Sequence, residues 1–237
     1  MNIFEHIYRN DLWHGGSGPG SLPSVNRPYV RFLQSFLSHN NIGSVVDLGC
    51  GDWQFSRRID WGDARYLGLD VVPHVLESNR RRFGRAGVDF NVSPEDPNDI
   101  PGADLLLIKD VFQHISNEKV QAYAKVFPRF NYALVTNCIQ KSRHLMNTDI
   151  PDGGFRPVDL RLTPFALPMA SVLEFGSRRI FNPWRFEFTT PGVKEVFLWI
   201  HPALATALPK LEGRAVVPAL PAQSGQDRRP FSRPPDR

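Results

Sequence analysis

Val45-Val46-Asp47-Leu48-Gly49-Cys50-Gly51-Asp52 decides the reading of this chain. A short apolar run, Ser44–Leu48, breaks at once into two glycines around a single residue. Such glycines allow a sharp turn and a close approach of backbone to a ligand. In a dinucleotide fingerprint a third glycine would fall at residue 54, where this chain has Gln54. The acids Asp47 and Asp52 suit a cationic ligand better than a pyrophosphate.

Outward from that loop, apolar runs alternate with helical patterns. Tyr29, Val30, Phe32, Leu33, Phe36 and Leu37 recur at helical spacing before the first strand. After the loop come a helical stretch expected from about Trp53, a strand at Tyr66–Asp70 and a helix opening at Pro73. Strands at Val88–Val92 and Asp104–Lys109, a helix from about Ser116 and a strand at Tyr132–Thr136 follow. This alternation predicts a doubly wound, mostly parallel α/β sheet with right-handed crossovers. Ser171–Phe175 and Val193–Ile200 are expected to pair antiparallel at its far edge.

The second strand ends in Asp70, and an acid there can accept hydrogen bonds from both hydroxyls of an adenosine ribose. Asp47-Leu48-Gly49-Cys50-Gly51 together with Asp70 resembles the first two signature motifs of the class I S-adenosylmethionine-dependent methyltransferases, over roughly residues 30–137. The resemblance implies that fold, Rossmann-like, with an antiparallel edge hairpin, and S-adenosylmethionine as cofactor. It implies Asp47, Gly49, Cys50 and Gly51 at the amino-acid end of the cofactor, Asp70 at the ribose and Val71 against the adenine. Many members carry an acid after the third strand; here Val92-Ser93-Pro94-Glu95-Asp96 stands there, with Ser93 the best match and Asp96 a substitute. The fourth strand runs into Lys109-Asp110-Val111-Phe112-Gln113-His114, a segment that borders the transferred methyl group in similar enzymes. Lys109, Asp110 and His114 are therefore the candidates for orientation or proton removal, joined by Asp149, Asp152, Arg156 and Asp159. A helix-capping or packing role accounts for His114 equally well, and the three acids also read as turn formers beside Gly and Pro, with Arg156 pairing one of them.

Residues 1–28, punctuated by Trp13 and Gly15-Gly16-Ser17-Gly18-Pro19-Gly20, read as a leader or lid, expected to be a loop. Residues 29–201 form the methyltransferase domain, with a turn-rich insertion at 138–168 on the substrate side. Leader, Lys109–His114 segment and insertion together resemble a bacterial branch of the family, for which the resemblance supplies no acceptor. Residues 202–237, rich in Pro and Arg, read as a disordered basic tail.

The net charge of +4 lies mostly in that tail, since Lys210 onward carries six basic and three acidic residues. A near-neutral body argues against a long phosphate track, and Lys109-Asp110-Val111-Phe112 replaces the Asn-Pro-Pro-Tyr type segment of base amino-methylation. Nucleic acid is thus disfavoured, and a small-molecule acceptor with an oxygen or nitrogen nucleophile is expected between leader and insertion. Cys50 and Cys138 match no zinc spacing, so no metal is expected and both read as reduced thiols of a cytoplasmic protein. No apolar run is long enough to span a bilayer. Two other readings of the loop are a non-catalytic S-adenosylmethionine-binding scaffold or sensor and a nicotinamide-dependent oxidoreductase.

Overall fold

In the computed structural model, residues 2–140, 146–176, 180–182, 187–189 and 193–207 are described. The elements are α1 (Ile3–Arg9), α2 (Arg27–His39), β1 (Ser44–Leu48), β2 (Arg65–Asp70), α3 (Pro73–Phe83), β3 (Val88–Val92), β4 (Ala103–Lys109), α4 (Asn117–Ala124), β5 (Phe130–Ile139), β6 (Ala170–Gly176), β7 (Ile180–Asn182), β8 (Glu187–Thr189), β9 (Val193–Ile200) and α5 (Pro202–Ala207). Seven strands form one sheet in the order β3-β2-β1-β4-β5-β9-β6, and β7 pairs with β8 apart from it. The first five are parallel, while β9 is antiparallel to both β5 and β6. This is the expected α/β sheet with its antiparallel edge. The connection from β1 runs one way to β2 and β3, and the chain then returns to β4 on the other side of β1. That reversal opens a crevice at the carboxyl ends of β1 and β4.

Alternation in the buried strands feeds two apolar layers. Val46, Leu48, Leu106 and Ile108 pack with Val120 of α4 and with Phe127, whereas Val45, Leu105 and Leu107 pack with Tyr29, Leu33 and Leu37 of α2. Those three α2 residues, four apart, form its buried stripe. Ser116 caps α4, its hydroxyl accepting from Lys119 N–H.

Two expectations need correction. No α-helix follows the glycine loop at Trp53; turns and a single 3-10 turn, Ser56–Arg58, occupy that place. Trp53 adopts a left-handed φ of 59°, which ends helical propagation. Its indole is buried against Tyr66, Phe83 and Phe90, with ring centroids 5.5, 5.1 and 5.3 Å away. Tertiary packing of one large ring has overridden the local pattern. The leader, for its part, is not all loop, because α1 forms within it. Seven residues are too few for a stable isolated helix. The Asn2 carboxamide caps it by accepting from Glu5 N–H at 2.7 Å, and Ile7 is buried. The assignment of residues 202–237 as a disordered tail lies, from Leu208 on, outside the described residues; Pro202–Ala207 is helical.

Candidate functional site

Leu48 leads from β1 straight into the crevice. Gly49 (φ 73°) and Gly51 (φ 55°) turn the chain back so that Gly49 N–H and Cys50 N–H both donate to Leu69 O, at 2.7 and 3.0 Å. Each glycine is required by a neighbour: a Cβ on Gly49 would overlap a Val111 methyl, and one on Gly51 would overlap the Ser17 hydroxyl of the leader. The space over Gly51 is therefore taken by the leader.

Asp70, at the end of β2, closes the turn from the other side. Its Oδ2 accepts from Gly51 N–H at 2.9 Å and its Oδ1 from Val72 N–H at 3.1 Å. The Val71 N–H also acts on this carboxylate. Burial pushes the Asp70 carboxyl up to about 6 against the lowering effect of those N–H donors. Asp47 is deeper, 2% exposed, and accepts from Tyr66 Oη at 2.6 Å; burial lifts it too to about 6. Burial also raises the Cys50 thiol, leaving it protonated. Val71 is exposed at the rim, and the adjacent Ser93 donates its backbone N–H to Asp70 O at 2.9 Å.

Beyond β4 the backbone of Asp110 enters the left-handed region at φ 61°. An aspartate tolerates that conformation better than a branched residue. Asp110 Oδ2 accepts from Lys109 Nζ at 2.5 Å and from Lys194 Nζ of β9. Burial would raise the Asp110 carboxyl, but the two ammonium groups outweigh it and hold it down to about 2. Lys109 is sealed beneath Phe55, its Nζ 4.7 Å from the ring centre, and burial lowers it to about 8 despite Asp110.

His114 ends the 3-10 turn Phe112–His114. Its Nδ1 lies 2.7 Å from Gly154 O, and its Nε2 lies 3.2 Å from Gln113 Nε2. Gln113 Oε1 accepts from Cys138 N–H at 2.8 Å, which turns the amide NH2 toward the histidine. Gly154 O can only accept and Gln113 Nε2 can only donate, so the ring is the neutral tautomer with its proton on Nδ1. Burial lowers the His114 pKa in the same sense. We expect the His114 ring signals in NMR to titrate below the ordinary histidine range; a midpoint above about 6.5 would place a proton on Nε2 and break this arrangement.

The leader covers the cavity. Tyr8 Oη and Ser17 Oγ are 2.7 Å apart, Ser17 Oγ donates to Asp52 Oδ1 at 2.7 Å, and Asp52 N–H returns a bond to Ser17 Oγ at 3.0 Å. Gln54 Nε2 donates to Gly15 O at 3.0 Å and to Asp52 Oδ2 at 2.6 Å. Trp13 lies tilted against His114, ring centres 5.1 Å apart. At the far side Asn2 Nδ2 donates to Val71 O at 2.7 Å, and Gly153 of the insertion packs so closely on Ile3 of α1 that a Cβ there would lie 2.6 Å from an Ile3 carbon.

Ten of the residues singled out in the sequence, Asp47, Gly49, Cys50, Gly51, Asp70, Val71, Ser93, Lys109, Asp110 and His114, line one cavity. The insertion's charged residues are not among those lining it and make other contacts. Arg156 donates to Phe112 O at 2.8 Å and to Asn117 Oδ1 at 2.7 Å, where a pairing with an acid was expected. Asp149 accepts from Asn117 N–H at 2.7 Å, Asp152 from Ser116 N–H at 3.1 Å, and Asp159 holds Arg161. Asp96 caps the 3-10 turn Pro97–Asp99. Sequence reasoning missed Lys194, Tyr8 and the latching role of Ser17. Lys194 left one signal, a lysine two residues before Val196 in an apolar strand and so on the same face.

No family model matches the chain, and no curated protein does. Solved structures match its architecture. An S-adenosylmethionine-dependent methyltransferase from Anabaena variabilis is 18% identical, with TM-score 0.57 over 84% of this chain and 96% of that one. The N-methyltransferase NodS of Bradyrhizobium japonicum, solved with S-adenosylhomocysteine, is 11% identical, with TM-score 0.54 over 76% and 89%. The methyltransferase domain of bacterial CtHen1 is 19% identical, with TM-score 0.51 over 73% and 97%. The chain has the fold of the class I S-adenosylmethionine-dependent methyltransferases.

Proposed function

We propose that this chain binds S-adenosylmethionine and transfers its methyl group to an oxygen or nitrogen nucleophile of a small-molecule acceptor. The observation that carries the reading is the convergence, in one cavity at the sheet's switch point, of Gly49–Gly51, Asp70, Val71, Ser93 and the β4 end. The residues fit the cofactor. Asp70 presents its carboxylate at the end of β2 to ribose hydroxyls, and exposed Val71 beside Ser93 offers an apolar edge to a purine.

When bound, that cofactor supplies a methyl group on a sulfonium, so alignment is most of what the protein must provide. Asp70 orients the ribose, and the Gly49–Gly51 backbone with Asp47 bounds the amino-acid end. Trp13, Tyr8 and Ser17 exclude water from above. His114 holds its proton on Nδ1 and keeps a lone pair on Nε2, which can take a proton from the acceptor once the Gln113 amide yields. The acceptor enters between the leader and the insertion beside His114, whose ring is flanked by Trp13 and Phe155. Among the described residues no helix is long and apolar enough to cross a membrane, and Cys50 and Cys138 are free thiols, which supports a cytoplasmic setting.

Calorimetry with S-adenosylmethionine and S-adenosylhomocysteine tests the reading, and absence of binding by the intact chain at millimolar cofactor overturns it. The binding should also depend on pH. Asp70 accepts ribose hydroxyls best when ionised, so affinity for S-adenosylhomocysteine falls as pH drops through about 6. Between about pH 7 and pH 5 the loss approaches tenfold, and Asp70→Asn flattens the profile apart from any share due to Asp47. A wild-type profile that stays level over that span would remove Asp70 from the ribose.

A further inference from the structure

Strand register sets a row of polar side chains along the α2 face of the sheet. Asp47 of β1 pairs with Leu107, two residues before Lys109 on β4; Lys109 pairs with Thr136 on β5; and Cys138, two further on, pairs with Lys194 of β9. Side chains two apart share a face, so Asp47, Lys109, Thr136 and Lys194 lie on one side at the top of the sheet. Two of them are buried lysines, 6% exposed each.

Both ammonium groups spend their hydrogen bonds on the same two acceptors. One is Asp110 Oδ2; the other is Gly20 O of the leader, 3.3 Å from Lys109 Nζ and 3.4 Å from Lys194 Nζ. Ammonium groups satisfied by an anion sit about 2.7–2.9 Å from it. Asp110 Oδ2 supplies that anion to both ammonium groups, and the neutral Gly20 carbonyl is the longer second acceptor of each. Asp110 is the carboxylate in contact with both ammonium groups, and Asp47, which Lys109 also influences, is the acid of the row. Asp110 Oδ1 is buried and has no hydrogen-bond partner, ready to accept from an N–H or O–H. Lys109, Asp110 and Gly20 line the cavity described above, and Lys194 reaches them through its bonds to Asp110 and Gly20. Gly20 is pressed onto the pair: a Cβ there would lie 2.8 Å from Lys194 Nζ and 3.3 Å from Asp110 Oδ2.

We infer that Lys109 and Lys194 form a carboxylate-binding subsite, with Asp110 Oδ1 taking a hydrogen-bond donor next to that carboxylate. The carboxylate comes from the amino-acid end of the cofactor or from an acceptor that bears a neighbouring donor. The inference rests on the function proposed above. It moves Lys109 and Asp110 from proton transfer to recognition and adds Lys194, from the antiparallel strand, to the site.

The test compares Lys194→Met with wild type by calorimetry against S-adenosylhomocysteine and against 5′-methylthioadenosine, which keeps the adenosine and sulfur but lacks the amino acid. If the subsite takes the cofactor's carboxylate, the variant binds S-adenosylhomocysteine about tenfold more weakly or worse, while methylthioadenosine binds both proteins alike and confirms that the variant is folded. If it takes the acceptor's, both nucleosides bind alike, and salicylate or L-alanine raises the melting temperature of the S-adenosylhomocysteine-saturated wild type and not of the variant. Equal behaviour of the two proteins toward all four probes overturns the subsite. Lys194→Gln, polar and neutral, gives the same comparison should the methionine variant fail to fold. Failure of wild type to bind S-adenosylhomocysteine at all refutes the proposed function instead, and salicylate and L-alanine then judge the subsite alone.

Discussion

Asp110→Ala is expected to lower the melting temperature by on the order of 6–20 °C. The substitution removes the carboxylate that two buried ammonium groups share, and loss of one partner of a buried ion pair costs about 3–5 kcal/mol. Each kcal/mol moves a domain of this size by roughly 2–4 °C. Lys109 cannot swing out to water, because its side chain is 2% exposed and lies against the rings of Phe55 and Tyr29. It can lose its proton. The Lys109 pKa, already lowered by burial to about 8, sits below the unfolded value of about 10.4, so the folded state binds fewer protons than the unfolded one and gains stability as pH rises through that window. Removing Asp110 lowers it further and widens the window downward. The gap in melting temperature between variant and wild type should therefore narrow from about pH 7 to about pH 10. A variant as stable as wild type at neutral pH would mean that the two lysines are already solvated or uncharged.

Asp70→Ala is expected to weaken binding of S-adenosylhomocysteine by about 1.5–3 kcal/mol, or roughly 10- to 150-fold, the range for hydrogen bonds to a charged group. Two losses combine. The ribose would lose its acceptor, and Gly51 N–H and Val72 N–H would lose theirs, loosening the turn that shapes the site. Asp70→Asn separates them, since it retains an oxygen for one N–H and gives up the charge; it should fall between wild type and the alanine variant. Calorimetry at neutral pH reads all three. Unchanged affinity in Asp70→Ala would show that β2 does not end at the ribose.

Strands were legible because burial on both faces of a parallel sheet writes itself as short apolar runs. Ser44–Leu48 coincides with β1 in this way, the edge strand β3 at Val88–Val92 shows instead as alternation, and Ser171–Phe175 does pair antiparallel with Val193–Ile200. Asp70 was legible for a different reason: a carboxylate that closes an apolar strand must be held by something, and chain order placed that something at the glycine loop. The leader's α1 was not, because its stability comes from the Asn2 cap and from contact with Gly153, some 150 residues away in sequence. Nor was the missing helix after Gly51, where the indole of Trp53 found a better place among Tyr66, Phe83 and Phe90 than a helix could offer it.

What the amino-acid sequence determined by itself is local: where strands begin and end, where the backbone must turn without a Cβ, and which acid follows the second strand. Periodicity and glycine act within a few residues, so they survive without knowledge of the rest. What only the tertiary structure decided is charge pairing. Lys109 and Asp110 are neighbours in sequence, but their partner Lys194 arrives from a strand 84 residues away, and the Gly20 carbonyl that covers them arrives from the other end of the chain. A buried charge is tolerated only where opposite charge and polar atoms meet it in space. That meeting is set by sheet order and register, which bring Lys194 of β9 and Gly20 of the leader to the same two residues.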